Sequence, residues 1–135
     1  VGYVINAAAV MIGGALGALA RFRMDAAITH AFMINFPVGT LCINVLGGLL
    51  MGLLQGVMKR SGKPFALGYN LLGTGFLGGF TTFSHFSLDV FDLWRGGQGG
   101  LAALYALLSL ALCIGAVWLG YRLMCPRRAA TGAAA

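Results

Sequence analysis

Long apolar runs dominate the chain, and short polar groups separate them. The first run is Val4 to Phe22, and the second is Val38 to Met58. Pro37 stands at the start of the second, where a proline suits the first turn of a helix. The third extends from Phe65 to about Trp94, and the fourth from Leu101 to Met124, closed by Cys125 and Pro126. A transmembrane helix takes roughly 20 apolar residues, so each run is long enough to cross a bilayer. The pattern predicts an all-α integral membrane protein: one domain over residues 1–135 with four transmembrane helices. No basic stretch precedes the first run and no A-x-A-like site follows it, so it reads as a retained span and not as a signal peptide.

The connectors fit this division. Arg23 to Phe36 is expected to form a short interfacial segment, Lys59 to Pro64 a turn, and Gly96 to Gly100 a flexible turn. The tail from Arg127 to Ala135 is expected to fray. The third run is too long for one simple helix. Thirty residues at a rise of about 1.5 Å cover about 45 Å, against a hydrocarbon core of about 30 Å. Its second half is also polar, with Thr81, Thr82, Ser84, His85, Ser87, Asp89 and Asp92. Non-helical backbone at membrane depth survives only against protein or a water-filled cavity. A break near Gly78 to Thr82, turned away from lipid, is therefore predicted.

Composition strengthens the membrane reading. Charged residues make up 9% of the chain and hydrophobic ones 59%, with a mean hydropathy of +0.88. A soluble domain carries about 25% charged residues, so a soluble enzyme is excluded. The net charge of +6 comes in small groups between apolar runs, which marks membrane flanks and not a nucleic-acid surface. Cys42, Cys113 and Cys125 show no metal or disulfide spacing and read as small apolar fillers.

Glycine is abundant, at 22 of 135 residues. Gly13 and Gly17 on the first run, and Gly48, Gly52 and Gly56 on the second, repeat at a spacing that lets helices approach closely in lipid. A bundle packed this tightly has no central pore, so a transport path belongs at its edge or between subunits. The string Gly73-Thr74-Gly75-Phe76-Leu77-Gly78 fits G-x-G-x-x-G, but no strand precedes it and it lies within an apolar run. It is refused as a dinucleotide site.

Polar groups inside apolar spans are the best local sign of function. Thr40 and Asn44 lie one turn apart on the second run. Tyr105, Ser109 and Cys113 form a similar row on the fourth. Arg21 closes the Gly13–Gly17 row, and Phe76, Phe80, Phe83 and Phe86 recur along the third run. Each has an ordinary structural explanation. Together they offer N–H and O–H donors and aromatic edges of partial positive charge. The ring of carboxylates expected for a cation path is missing. The lining suits a small anion.

The run Gly78-Gly79-Phe80-Thr81-Thr82-Phe83-Ser84-His85-Phe86-Ser87-Leu88-Asp89 resembles the third-span signature of the Fluc-type (CrcB) fluoride channels. Gly39-Thr40-Leu41-x-x-Asn44-x-x-Gly47 and Gly14-Ala15-x-Gly17-Ala18-x-x-Arg21 resemble its second and first spans. The likeness covers essentially the whole chain, and the GGxTTFSxFS string is highly specific. It implies a passive fluoride-selective channel, not an enzyme, in the bacterial plasma (inner) membrane. It also implies an antiparallel, dual-topology homodimer with two pores lined by both subunits, and a structural sodium ion at the dimer interface. By the same resemblance Phe83 and Phe86 match the rings that face fluoride, and Asn44 matches the pore amide. Thr40, Ser84, Tyr105 and Ser109 match polar positions of the path. Arg21 matches the vestibule arginine. Gly78 and Thr81 match the residues whose backbone carbonyls hold sodium.

Two positions depart from the family pattern. His85 replaces a usual threonine, and Asp89 a usual glutamate. A threonine hydroxyl is the same at any pH, whereas an imidazole changes charge within the physiological range, so a His85 on the path implies pH-dependent conduction, and a His85 off the path is a satisfied packing residue. The basic residues are also biased. Lys59, Arg60, Lys63, Arg122, Arg127 and Arg128 share one side of a four-span topology, and Arg21, Arg23 and Arg95 the other. That bias favours cytoplasmic termini, while dual insertion needs a weak one. The alternative function is a small proton-coupled multidrug exporter, which needs an acid buried in its first span. The acids here are Asp25, Asp89 and Asp92, all outside the first run.

Overall fold

The computed structural model describes residues 2–32, 36–61 and 65–125, and these are helical apart from short turns. Part of the interfacial segment, the end of the Lys59–Pro64 turn and the C-terminal tail lie outside the described residues. The helices are α1 (Gly2–Phe32), α2 (Val38–Ser61), α3 (Ala66–Tyr69), α4 (Gly78–Phe80), α5 (Phe83–Arg95) and α6 (Gly99–Met124), with a π-helical segment, Asn70–Leu77, joining α3 to α4. Three of them, α1, α2 and α6, are long and apolar enough to cross a membrane. Large apolar side chains such as Leu16, Leu107 and Trp118 stand exposed along their outer faces, as lipid allows and water does not.

α1 does not stop where the apolar run stops. It continues through Arg23 to Phe32, where a separate interfacial segment was expected. Residues 23–32 contain neither glycine nor proline, so nothing interrupts the backbone ladder. The extension places Asp25 one turn beyond Arg21 on the same helix face. α6 likewise begins within the expected glycine turn, which Gly97 closes in the left-handed region at φ 75°.

The third run is divided, and the division falls within the stretch that its length demanded. Thr81 (φ −78°, ψ 159°) and Thr82 (φ −150°, ψ 121°) are extended, a conformation that suits a β-branched side chain. The Thr82 hydroxyl then caps α5 by accepting from the His85 N–H at 3.2 Å. The π-helical turn upstream had no sequence signal beyond its glycines.

Packing follows the glycine rows. α1 lies on the π-helical segment and α4, while α6 packs against both α2 and α5. A Cβ on Gly13 would stand 2.8 Å from the Phe76 nitrogen and 3.0 Å from the Gly75 Cα. A Cβ on Gly52 would stand 2.9 Å from the Tyr121 nitrogen and collide with the Val117 carbonyl. Backbone therefore meets backbone, and no flexible side chain can yield. Gly52→Ala is expected to lower thermal stability in detergent by about 1–3 kcal/mol, the usual cost of overpacking. Gly115→Ala, with open space around its Cβ, is the neutral control. Equal melting temperatures for the two variants would remove the close-packing role of Gly52.

Candidate functional site

The broken helix is held from the side by α2. Asn44 donates through Nδ2 to the Thr82 carbonyl at 2.9 Å and accepts at Oδ1 from the Thr82 N–H at 2.8 Å. One side-chain amide thus satisfies both backbone groups of an extended residue. In a continuous helix the Thr82 N–H would serve the Gly78 carbonyl, and the His85 N–H would serve the Thr81 carbonyl. Here the first goes to Asn44 and the second to the Thr82 hydroxyl. The Gly78 and Thr81 carbonyls are released from the ladder, and Gly78 is exposed. Unwound carbonyl oxygens are the donor type that a sodium ion takes, so these residues fit the ion the sequence implied.

Beside the break lies a groove of about 340 Å³. Asn44, Thr82, Phe83, Phe86 and Ser109 line it, together with Cys113 and Val117. The Phe83 and Phe86 rings are tilted by 42° with centroids 5.5 Å apart. Phe86 leans in turn on Tyr105, at 5.5 Å. Phe83 is 76% exposed, so the groove opens at the surface of the single chain. The Ser109 hydroxyl is buried and has no hydrogen-bond partner among the described residues. A buried hydroxyl left free on a groove wall is a donor in search of an acceptor.

Thr82 also lines a second cavity of about 270 Å³, together with Arg21, Asp25, Thr40 and His85. Arg21 donates through Nε to the Gly79 carbonyl at 3.2 Å, and its Nη1 lies 3.4 Å from Nδ1 of His85. An adjoining cavity of about 280 Å³ adds Asp89 to Asp25, Thr40 and His85. A charged, polar chamber and an aromatic, amide-lined groove therefore share one residue at the helix break.

The family model described as CrcB-like protein, Camphor Resistance (CrcB), matches residues 8–121. The chain belongs to this family. A Cereibacter sphaeroides protein named fluoride-specific ion channel FluC is 47% identical over 111 residues, 82% of this chain and 87% of that protein. Proteins of the same name from Coxiella burnetii, at 41% over 117 residues (86% of this chain, 94% of that protein), and Novosphingobium aromaticivorans, at 48% over 118 residues (85% and 92%), are similar too.

Within this CrcB-like chain the residues singled out from the sequence divide between the two spaces. Asn44, Phe83, Phe86 and Ser109 meet in the groove. Arg21 and Thr40 line the chamber instead. Ser84 is exposed at the start of α5, 3.1 Å from the Thr82 hydroxyl. Tyr105 is fully buried beneath the groove and donates to Asp89 at 3.1 Å. The expected Phe76–Phe80–Phe83 row ends at the break. Phe76 and Phe80 stack at 6.0 Å, and Phe83 turns to Phe86. Thr82 ends the predicted break, but its place between the two spaces, and the places of Asp25 and His85 in the chamber, were not legible in the sequence. The available signals were the threonine three residues ahead of His85, a capping spacing, and the four-residue step from Arg21 to Asp25.

Proposed function

We propose that this chain is a passive fluoride channel of the bacterial inner membrane, a multi-pass protein that lets the ion leave down its gradient. The curated relatives carry that activity in their names, and their likeness covers most of both chains. The observation that carries the reading is the groove itself. It gathers an amide, a buried hydroxyl with no partner among the described residues and two phenylalanine rings, and among its lining residues there is no carboxylate. A small anion that sheds water needs donors and fixed positive dipoles in its place. Asn44 and Ser109 supply N–H and O–H groups, and Phe83 and Phe86 supply ring edges. Arg21 lines the adjoining chamber, which meets the groove at Thr82.

The working unit in this reading is an antiparallel, dual-topology homodimer. The groove is open along the side that exposes Phe83, and a second copy would close it, so that both subunits line each of two pores. The Gly78 and Thr81 carbonyls would hold a structural sodium ion at the dimer interface. When bound, that ion supplies positive charge that ties the two breaks together. The multidrug-exporter alternative receives no support, since the relatives are named as fluoride channels.

The test is efflux from liposomes containing the purified protein, with fluoride compared with chloride. Fluoride is expected to leave rapidly and chloride to stay at the protein-free rate. Equal efflux of both ions would overturn fluoride selectivity. Diluting the protein until most liposomes hold few chains counts the functional unit in the same assay. Activity that persists at one chain per liposome would overturn the dimer.

A further inference from the structure

We infer that Arg21 is a positioning residue for the helix break. Its Nε holds the Gly79 carbonyl, which leaves the neighbouring Gly78 and Thr81 carbonyls free for a cation and keeps Phe83 on the groove wall. The inference rests on the channel reading above and on the sodium ion that belongs to it. In a continuous helix the carbonyls of residues 78–81 would serve the N–H groups of residues 82–85. The break hands the Thr82 N–H to Asn44 and the His85 N–H to the Thr82 hydroxyl. Phe83 opens α5, where the N–H groups of the first turn have no partner within the helix. The Gly79 carbonyl, which Phe83 would have served, instead accepts from Nε of Arg21 at 3.2 Å. Asn44 therefore holds the break from α2, and Arg21 holds it from α1.

The glycine row is what brings Arg21 to this place. Gly13, Gly17 and Arg21 follow one another at four-residue steps on α1. A Cβ on Gly17 would stand 2.9 Å from the Phe80 nitrogen, and one on Gly79 would stand 3.0 Å from the Gly14 Cα. α1 and the segment before the break thus lie backbone to backbone, and the next turn of α1 carries the guanidinium to the unwound carbonyls. A cation also suits the C-terminal end of the helical stretch that closes at Phe80. The same charge does little to collect passing anions, because the Asp25 carboxylate lines the same cavity. What the break requires is the donor at Nε. Without it the Gly79 carbonyl regains a partner by drawing back the Phe83 N–H. That step rewinds the turn whose other carbonyls a cation needs, and it moves the Phe83 ring.

Three substitutions separate the donor from the charge. The amide nitrogen of glutamine stands as many bonds from the backbone as Nε of arginine does. Arg21→Gln therefore keeps an N–H at that place and removes the charge. Arg21→Lys keeps the charge and puts a methylene there, and Arg21→Met removes both. Each variant is measured in two ways: fluoride efflux from liposomes, and the rise in melting temperature in detergent when sodium replaces a bulky organic cation at equal ionic strength. Arg21→Gln is expected to conduct within about threefold of the parent, the effect of one charge lost from a helix end, and to keep the parental sodium increment. Arg21→Lys and Arg21→Met are each expected to lose about tenfold in flux, as a carbonyl left without its donor implies, together with most of the sodium increment. A role in stability alone would lower melting temperatures and leave the increment equal in all four proteins. A role in collecting anions would rank Arg21→Lys above Arg21→Gln in flux. Either result, an Arg21→Gln protein as impaired as Arg21→Met, or a parent whose melting is indifferent to sodium would overturn the inference. A parent that carries no fluoride would overturn the channel reading instead, and the sodium increments would still decide the place of Arg21.

Discussion

Asn44→Ala is expected to abolish fluoride flux while the helices stay folded. The amide serves the broken helix through two hydrogen bonds to Thr82, at 2.8 and 2.9 Å. Its Nδ2 carries a second N–H, which remains for the groove that Asn44 lines. Alanine removes the clamp and the donor together. The Thr82 N–H and carbonyl would then stand unpaired, each at a cost of about 1–3 kcal/mol. Re-forming the helical bond from the Thr82 N–H to the Gly78 carbonyl is the cheapest repair. That repair would straighten the break and take away the carbonyl that the sodium reading needs. The expected loss of flux is therefore at least tenfold, larger than one missing donor would give. Asn44→Asp keeps the acceptor for the Thr82 N–H but sets a carboxylate against the Thr82 carbonyl and into the groove. It should be as inactive as alanine. Efflux of each variant is measured after gel filtration has shown a single species. Parental flux in well-folded Asn44→Ala would return Asn44 to an ordinary packing role.

How far the sequence could go depends on the range of each interaction. The break at Thr81 and Thr82 was legible because it follows from one length set against another: too many residues for one crossing, and polar ones in the second half. The glycine rows were legible because small-residue spacing is local to a helix, and Gly13 and Gly52 do bury their backbones against neighbours. The partner of Asn44 was not legible. Its bond reaches a backbone 38 residues away, and side-chain patterns carry no record of which carbonyl a break exposes. The same holds for Tyr105, whose spacing with Ser109 placed both on one face. The structure buries the ring fully and turns its hydroxyl to Asp89, leaving Ser109 on the groove wall. The π-helical segment was invisible because residue preferences do not separate π from α turns. The end of α1 was not legible because the apolar run closes at Phe22, whereas a helix ends only where something ends it, and this one continues to Phe32.

Phe83→Ile and Phe86→Ile are each expected to suppress fluoride flux by at least an order of magnitude with little loss of stability. Fluoride must give up water to enter the groove, and fixed partial positive charge must replace what it loses. A ring edge does this weakly, so an ion can be held without being trapped, as conduction requires. The two rings stand 5.5 Å apart at a tilt of 42°, so their edges and faces do not present themselves alike to the groove. Isoleucine keeps much of the bulk and removes the quadrupole. The two positions differ in what else they support. Phe83 is 76% exposed in the single chain and makes few demands on the fold. Phe86 packs on Tyr105 and helps to seat α5 on α6, so its substitution carries a packing cost of about 1 kcal/mol as well. Methionine, with a polarizable side chain, should retain some flux at Phe86, where shape matters most. Liposome efflux with a thermal melt for each variant separates the two effects. An electrostatic role makes Phe83→Ile stable but non-conducting. If both isoleucine variants conduct at the parental rate, the rings are filler and the path does not run along α5.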